Sequence, residues 1–313
     1  MRISFPVLLT GILTVFPVHS YTQVPDLLDA LRNVRTAEFC GEPVPFQDPD
    51  VRERFEKEFM LMLWNRPQVL LYLKRTARFF PVIESILKEM DLPDDLKYMA
   101  LVESALRPEV RSHKGAAGIW QFMEGTGRQY GLAITDSIDA RRHTDRATRA
   151  AVRYLVMLRD TLGSWTLAAA AYNMGEYGLK EEMRRQGMRD YYRLHLPIET
   201  QRYLFRIVSA KLILSDPVRY GFILMESDLY PPHDAVRVTL TLTRPLPVRL
   251  IALAAETDFK RIKDLNPEIR GYDLSAGRHE IFIPRMAEDR FRSRIQKMIR
   301  SWEETVRSGA TDR

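Results

Sequence analysis

Ala147-Thr148-Arg149-Ala150-Ala151-Val152-Arg153-Tyr154-Leu155-Val156-Met157-Leu158-Arg159-Asp160-Thr161-Leu162-Gly163 reads as one long amphipathic helix. Ala147, Ala150, Ala151, Tyr154, Leu155, Leu158 and Leu162 recur at three- and four-residue steps, so they share one face. Gly163 follows, the residue that most cheaply takes left-handed backbone and closes a helix. The same period extends outward in both directions. Upstream, Asp50 with Glu53 resembles a capping box before a face of Phe55, Phe59, Met62 and Leu63. Leu70, Leu73, Ala77 and Phe80 predict a second helix, and residues 81–90 a third, stopped by Asp91-Leu92-Pro93. Helices are also expected over residues 94–107, 165–174 and 198–214. No strand pattern appears before residue 235, so the fold class is mainly α.

At 313 residues the chain has room for about two domains of ~150 residues. After Tyr230-Pro231-Pro232 the period changes: Val236, Val238, Leu240 and Leu242 alternate with polar residues, as in a strand. Helical stretches at 248–256 and 259–265, Asn266-Pro267 and an apolar strand at 280–283 complete a small β-α-α-β module. The expected division is a signal peptide over 1–20, a Pro-rich linker or wrapping segment over 21–49 and a helical domain over 50–230. A module over 235–285 and a charged helical tail over 286–313 follow. Within the first segment, Arg2 precedes an uncharged apolar run ending in Val18-His19-Ser20, which predicts export with cleavage after Ser20. Association with a membrane is expected only if that segment stays uncleaved.

Composition narrows the chemistry. A single cysteine, Cys40, excludes a disulfide framework, a zinc ribbon and an iron–sulfur site. Six scattered histidines form no paired ligand motif, so no metal or other cofactor is expected. The net charge of +6 suits a polyanionic partner. No Lys/Arg run with interleaved aromatics is present, so that partner is not nucleic acid.

Glu103 is the candidate acid. Leu96, Met99, Ala100 and Glu103 fall on one face of the helix opening at Leu92-Pro93-Asp94-Asp95, which puts a carboxyl on an apolar stripe. An inward acid is commonly a cap or an ion-pair partner, but this one is mid-helix with no basic residue a turn earlier. Desolvation there would keep it protonated, as a general acid requires. Beyond it lies Gly115-Ala116-Ala117-Gly118-Ile119-Trp120-Gln121-Phe122-Met123, whose glycines let backbone approach a ligand and whose Gln121 can bond an amide or hydroxyl. Glu199 is a second acid on an apolar stripe, shared with Tyr203, Ile207, Ala210 and Leu214; alone it reads as a first-turn residue complementing the helix dipole.

The blocks Met99-Ala100-Leu101-Val102-Glu103-Ser104-Ala105, Gly118-Ile119-Trp120-Gln121, Ala171-Tyr172-Asn173-Met174-Gly175 and Leu196-Pro197-Ile198-Glu199-Thr200-Gln201-Arg202-Tyr203 occur in the order and spacing of bacterial lytic murein transglycosylases. The chain resembles that family, and its membrane-bound D type most, over about residues 50–217. The resemblance implies a goose-lysozyme-like helical domain in the periplasm or cell envelope. Its partner would be peptidoglycan glycan strands, cleaved at the MurNAc–GlcNAc β-1,4 bond with formation of 1,6-anhydro-MurNAc. By the same resemblance Glu103 is the single catalytic acid and base, Ser112, Gln121 and Met123 contact glycan, Tyr172 and Asn173 form a cleft pair, and Glu199 lies at the cleft floor. Other readings stand beside these: Met123 as core, Ser112 as a turn residue, Asn173 as a helix C-cap. Spacing also leaves open a hydrolytic goose-type lysozyme and a non-catalytic wall-binding protein. Asn266-Pro267, Gly277 and residues 281–284 resemble the second half of a LysM module, while Thr243-Arg244-Pro245-Leu246 stands where that module has Gly-Asp-Thr.

Overall fold

The structure is a computed structural model and describes residues 26–308. The expected signal segment lies outside the described residues. The first core is helical: α1 (Leu27–Arg32), α2 (Pro49–Trp64), α3 (Arg66–Glu89), α4 (Lys97–Ser104), α5 (Glu124–Gln129), α6 (Thr144–Leu162), α7 (Trp165–Met174), α8 (Glu176–Gln186) and α9 (Ile198–Ser215). The stripe read from Ala147 to Leu162 is buried apart from Tyr154, which packs at the edge, and Gly163 closes α6 at φ +93°. Helix α9 packs against α2, α4 and α7 and so runs through the middle of the bundle.

Four local expectations change. The cap of α2 is Asp48, whose carboxylate accepts from the backbone N–H of Asp50 and Val51, so Asp50 lies inside the helix. Residues 66–89 form one helix through Pro81. Pro81 is exposed, while Phe80, Ile83, Ile86 and Leu87 continue the buried face across it. Burial on both sides offsets the lost hydrogen bond, a defect of roughly 3 kcal/mol. The helix expected over 94–107 starts as a 3-10 turn at Asp94–Leu96 and stops at Ser104, because Ala105 and Leu106 both take φ +56°. There Ser104 Oγ accepts from Arg107 N–H and donates to the Ile119 carbonyl, turning the chain away.

The fourth change is a strand pairing within the Pro-rich stretch, which over its described part is a packed strap. Residues 38–43 form a two-stranded ribbon, β1 (Glu38–Phe39) with β2 (Glu42–Pro43), the strand pairing that the sequence pattern missed. Leu31, Val34, Phe39 and Val44 are buried in the helical core. Glu42 reaches across to accept from the backbone N–H of Trp165 (2.6 Å) and Thr166 (2.9 Å). Together with Ser164 Oγ it satisfies the start of α7, where a negative charge is favoured.

A second core forms around β3 (Ala235–Leu242), β4 (Leu246–Pro247), α10 (Val248–Ala254), α11 (Phe259–Leu265), β5 (Asp273–Leu274), β6 (Gly277–Pro284) and α12 (Glu288–Arg307). β3 and β6 pair antiparallel from Ala235↔Pro284 to Leu242↔Gly277, and β4 pairs with β5. Asn266 stands in for a strand: its amide oxygen accepts from Phe282 N–H (2.6 Å) and its amide nitrogen donates to the Phe282 carbonyl (2.8 Å). The charged tail belongs to this core, since Phe291 and Ile295 of α12 are buried in it. The two cores meet where Asp139 N–H donates to the Glu268 carbonyl and Arg270 N–H to the Ser137 carbonyl, each at 2.8 Å. Among the described residues no helix is long and apolar enough to cross a membrane.

Candidate active site

Glu103 is partly exposed on α4, and Tyr203 of α9 donates its phenol O–H to Glu103 Oε1 at 2.6 Å. Burial pushes the Glu103 carboxyl up to about 7; the Tyr203 bond and the positive charge of Arg206 pull it down, and Glu199 pushes it up again. Desolvation dominates, so the acid holds its proton to a far higher pH than an ordinary glutamate does. Once ionised, it keeps a charge-assisted bond from a phenol that is itself only 2% exposed. Glu199 is exposed in the first turn of α9, four residues before Tyr203 and on the same face.

The loop between α4 and α5 is tied to the helix that carries Glu103. Its framework is the buried pair Arg141–Asp139: Arg141 donates to both carboxylate oxygens of Asp139 (2.8 and 2.7 Å) and to the carbonyls of Gly115 (2.9 Å) and Phe122 (3.0 Å). Such a pair is costly to break, because either partner alone leaves a buried charge. Ser104 ties the loop to α4 through the Ile119 carbonyl (2.9 Å), and Trp120 Nε1 ties it to α6 through Thr148 Oγ1 (2.9 Å). Tyr172 O–H closes the loop on the Trp120 carbonyl at 2.6 Å, with its ring among Trp120, Phe122 and Tyr154. The Tyr172 phenol is pushed well up, mainly by burial and then by the Glu103 charge, which puts it within electrostatic reach of the acid.

The remaining candidates are more scattered. Gln121, at φ +47°, turns its amide nitrogen inward to the Gly118 carbonyl (2.8 Å). Asn173 Oδ1 accepts from Thr200 Oγ1 (2.8 Å), joining α7 to the first turn of α9. Met123 is 47% exposed, at the residue preceding α5, and is not core. Ser112 is exposed and closes a turn by accepting from Ala116 N–H (3.0 Å), with no bond to the Glu103 cluster. Gly118 admits the close approach of the Arg141 backbone. Tyr203 escaped the sequence reading because it counted as one apolar step of the α9 stripe. Its place four residues after an acid on that stripe was the available signal. Among the described residues no group of His, Cys, Asp and Glu could hold a metal ion, and the Cys40 thiol is pushed up chiefly by burial, away from reactivity.

Residues 80–194 match the family described as the transglycosylase SLT domain. This stretch of the chain is similar to SLT domains. Glu103, Ser112, Gln121, Met123, Tyr172 and Asn173 fall inside the matched SLT segment, and Glu199 and Tyr203 lie just beyond it. Similar over a longer stretch are the proteins named membrane-bound lytic murein transglycosylase D from Escherichia coli K12 and from an O6:H1 strain of that species. Each is 29% identical over 263 residues, covering 82% of this chain and 57% of the relative. The chain thus spans little more than half the length of these relatives. A solved structure of an inactive mutant of the lytic transglycosylase Slt from Pseudomonas aeruginosa is 20% identical. It covers 49% of this chain and 26% of that one, at a TM-score of 0.35.

Proposed function

We propose that the SLT domain cleaves the MurNAc–GlcNAc β-1,4 bond of peptidoglycan and leaves 1,6-anhydro-MurNAc ends. The observation that carries this reading is a single carboxyl, Glu103, pushed up by burial and bonded by Tyr203 in a stretch that matches the SLT domain at residues 80–194 and continues just past it. Ordinary glycosidases need two acids flanking the bond, whereas substrate-assisted chemistry needs one. Glu103 protonates the leaving glycosidic oxygen while the sugar's N-acetyl oxygen stabilises the anomeric carbon. The Glu103 carboxylate, bonded by Tyr203, then takes the proton of the C6 hydroxyl as that oxygen closes the anhydro ring. Protons balance and no water is consumed. Intramolecular closure has an effective molarity on the order of 10⁵ M or more, which favours it over attack by solvent.

Gln121 and Tyr172 act in this proposal as the walls against which the glycan lies, Met123 as an exposed apolar contact, and Asn173 as the group fixing the start of α9. Ser112 contacts substrate from the exposed turn, and Glu199 holds Glu103 protonated by like charge. Residues 50–230, with the strap packed on them, form the catalytic unit, and residues 235–285, with α12 packed on them, a LysM-like module, in an exported protein of the cell envelope. Mass spectrometry of muropeptides released from purified sacculi tests the reading. Products ending in 1,6-anhydro-MurNAc are expected; products heavier by one water would make the enzyme a lysozyme.

The Tyr203 bond yields a second expectation. It favours the ionised carboxylate, so Tyr203→Phe raises the Glu103 carboxyl further. A hydrogen bond to a charged group is worth roughly 1.5–3 kcal/mol, equivalent to a pH shift of about one or two. The alkaline limb of kcat/KM should therefore move upward from near pH 7, while the rate on its plateau falls because the carboxylate formed in the first step is less stabilised. An unmoved limb would remove Tyr203 from the machinery.

A further inference from the structure

Where the two cores meet lies a cavity of about 600 Å³, opened between the chain leaving α4, the middle of α3 and the α11–β5 segment. Arg75, Arg78, Arg107, Arg142, Lys263 and Arg270 line it. Elsewhere some cations are matched with carboxylates, as in Arg149–Glu89, Arg202–Glu58 and Lys211–Asp95. Among the described residues none of the six forms an ion pair. Their bonds go to backbone carbonyls: Arg75 to Ala105, Arg78 to Pro231, Arg107 to Ser104, Lys263 to Ile269 and Gly271, Arg270 to Thr135. Arg142 has a buried Nε with no partner at all. Two acids line the cavity, Glu109 and Asp264, and Asp264 is engaged outward by Lys260.

Assembling like charges in a partly desolvated recess costs stability. Burial, Arg261 and Arg75 pull Arg78 down; burial, Arg270, Arg141 and Arg111 pull Arg142 down against the charge of Asp139; and the His233 ring at the same wall is lowered by burial, Arg78 and Arg261. A fold tolerates such repulsion where an anion relieves it. Phe79, Leu106, Pro108, Tyr230 and Ile269 stand between the cations, so the recess offers apolar surface beside each charge. That mixture fits a peptide bearing several carboxylates on aliphatic arms better than a bare phosphate. The recess is also joined to the catalytic helix, since Arg75 holds the carbonyl of Ala105 two residues after Glu103.

We propose that this recess binds the carboxylates of the stem peptides that hang from peptidoglycan strands, as a site separate from the glycan-cleaving carboxyl. The identity of the ligand rests on the proposed substrate; the anion site itself does not. Binding is measured with the full chain carrying Glu103→Gln, so that no turnover intervenes. The probe is the soluble tripeptide L-alanyl-γ-D-glutamyl-meso-diaminopimelate, compared with its carboxyl-amidated counterpart. The amidated peptide should bind at least tenfold more weakly. Arg142→Gln, added to that chain, should weaken the tripeptide about tenfold and Arg142→Lys much less. Raising the salt from about 0.05 to 0.5 M should weaken it further, as screening requires.

If Arg142→Gln fails to fold, Arg270→Gln carries the same expectation for binding. Equal binding of acid and amide, or binding indifferent to both substitutions, overturns the site. Binding of inorganic phosphate or of anionic phospholipid vesicles without the tripeptide overturns the peptide assignment in favour of a phosphate ligand. A chain that cleaves sacculi but ignores the tripeptide refutes this inference alone. One that holds the tripeptide but cleaves nothing refutes the proposed activity alone.

Discussion

Glu103→Gln should abolish cleavage of sacculi and, above pH 7, make the protein more stable than the wild type. Gln is nearly isosteric and keeps an oxygen to accept the Tyr203 O–H now donated at 2.6 Å. It has no proton to deliver to a glycosidic oxygen, and general acid–base help is worth typically ~10²–10⁴-fold. The stability gain follows from the raised carboxyl. Below about pH 4.5 the acid is protonated in both folded and unfolded chains, and wild type and variant should melt alike. As pH rises from there the unfolded chain ionises freely while the folded chain holds its proton until about 7, so wild-type stability drains away across that window. Above it the difference is constant, at up to about 3 kcal/mol, or several degrees in Tm. Glu268 is buried and likewise pushed up to about 7, but it is present in both proteins and cancels. Thermal melts at pH 4 and pH 8 check the sign. A variant with more than a tenth of wild-type turnover would show that Glu103 is not the essential acid, and equal melts at pH 8 would show that its burial carries no strain.

What the sequence made legible was whatever depends on period. The α6 stripe, its Gly163 stop, the position of Glu103 on an inward face and the alternation of β3 are each properties of a dozen neighbouring residues. What it hid depends on distant partners. Pro81 should end a helix by local rules, yet Phe80 and Ile83 are buried on either side of it and the helix continues. The strap was left open between linker and wrapping segment because Pro25, Pro43, Pro45 and Pro49 break any period. Its Glu42 finds its role only at the start of α7, more than a hundred residues away. Tyr203 was visible only as a hydrophobe, since nothing local announces that its hydroxyl meets Glu103. The cationic recess was hidden for the same reason: its arginines are scattered in sequence and gather only when the second core docks on the first. Net charge reported a surplus of cations, not a place for them.

Gly118→Ala should be the most damaging single methyl in the loop between α4 and α5. Gly118 was legible as a position for close approach, and a Cβ there would lie 1.8 Å from the Arg141 carbonyl oxygen and 2.6 Å from its carbon. That backbone cannot retreat, because the Arg141 side chain, 3% exposed, is fixed by Asp139 and by the carbonyls of Gly115 and Phe122. The φ of +80° adds left-handed strain of roughly 1–2 kcal/mol. Relief of the clash must come from the loop itself, which breaks the Gly118 N–H bond to the Val110 carbonyl and displaces the carbonyl that holds Gln121. A cost of at least about 3 kcal/mol is expected, or ~6–12 °C in Tm for a unit of this size. Turnover should fall with it, since Trp120, Gln121 and Phe122 move together. Gly131→Ala is the control: it shares a positive φ of +84° but has nothing within 4 Å of the added methyl, so it should lose only the backbone strain. If the two variants melt together, the close approach of Arg141 is not what holds this loop in place.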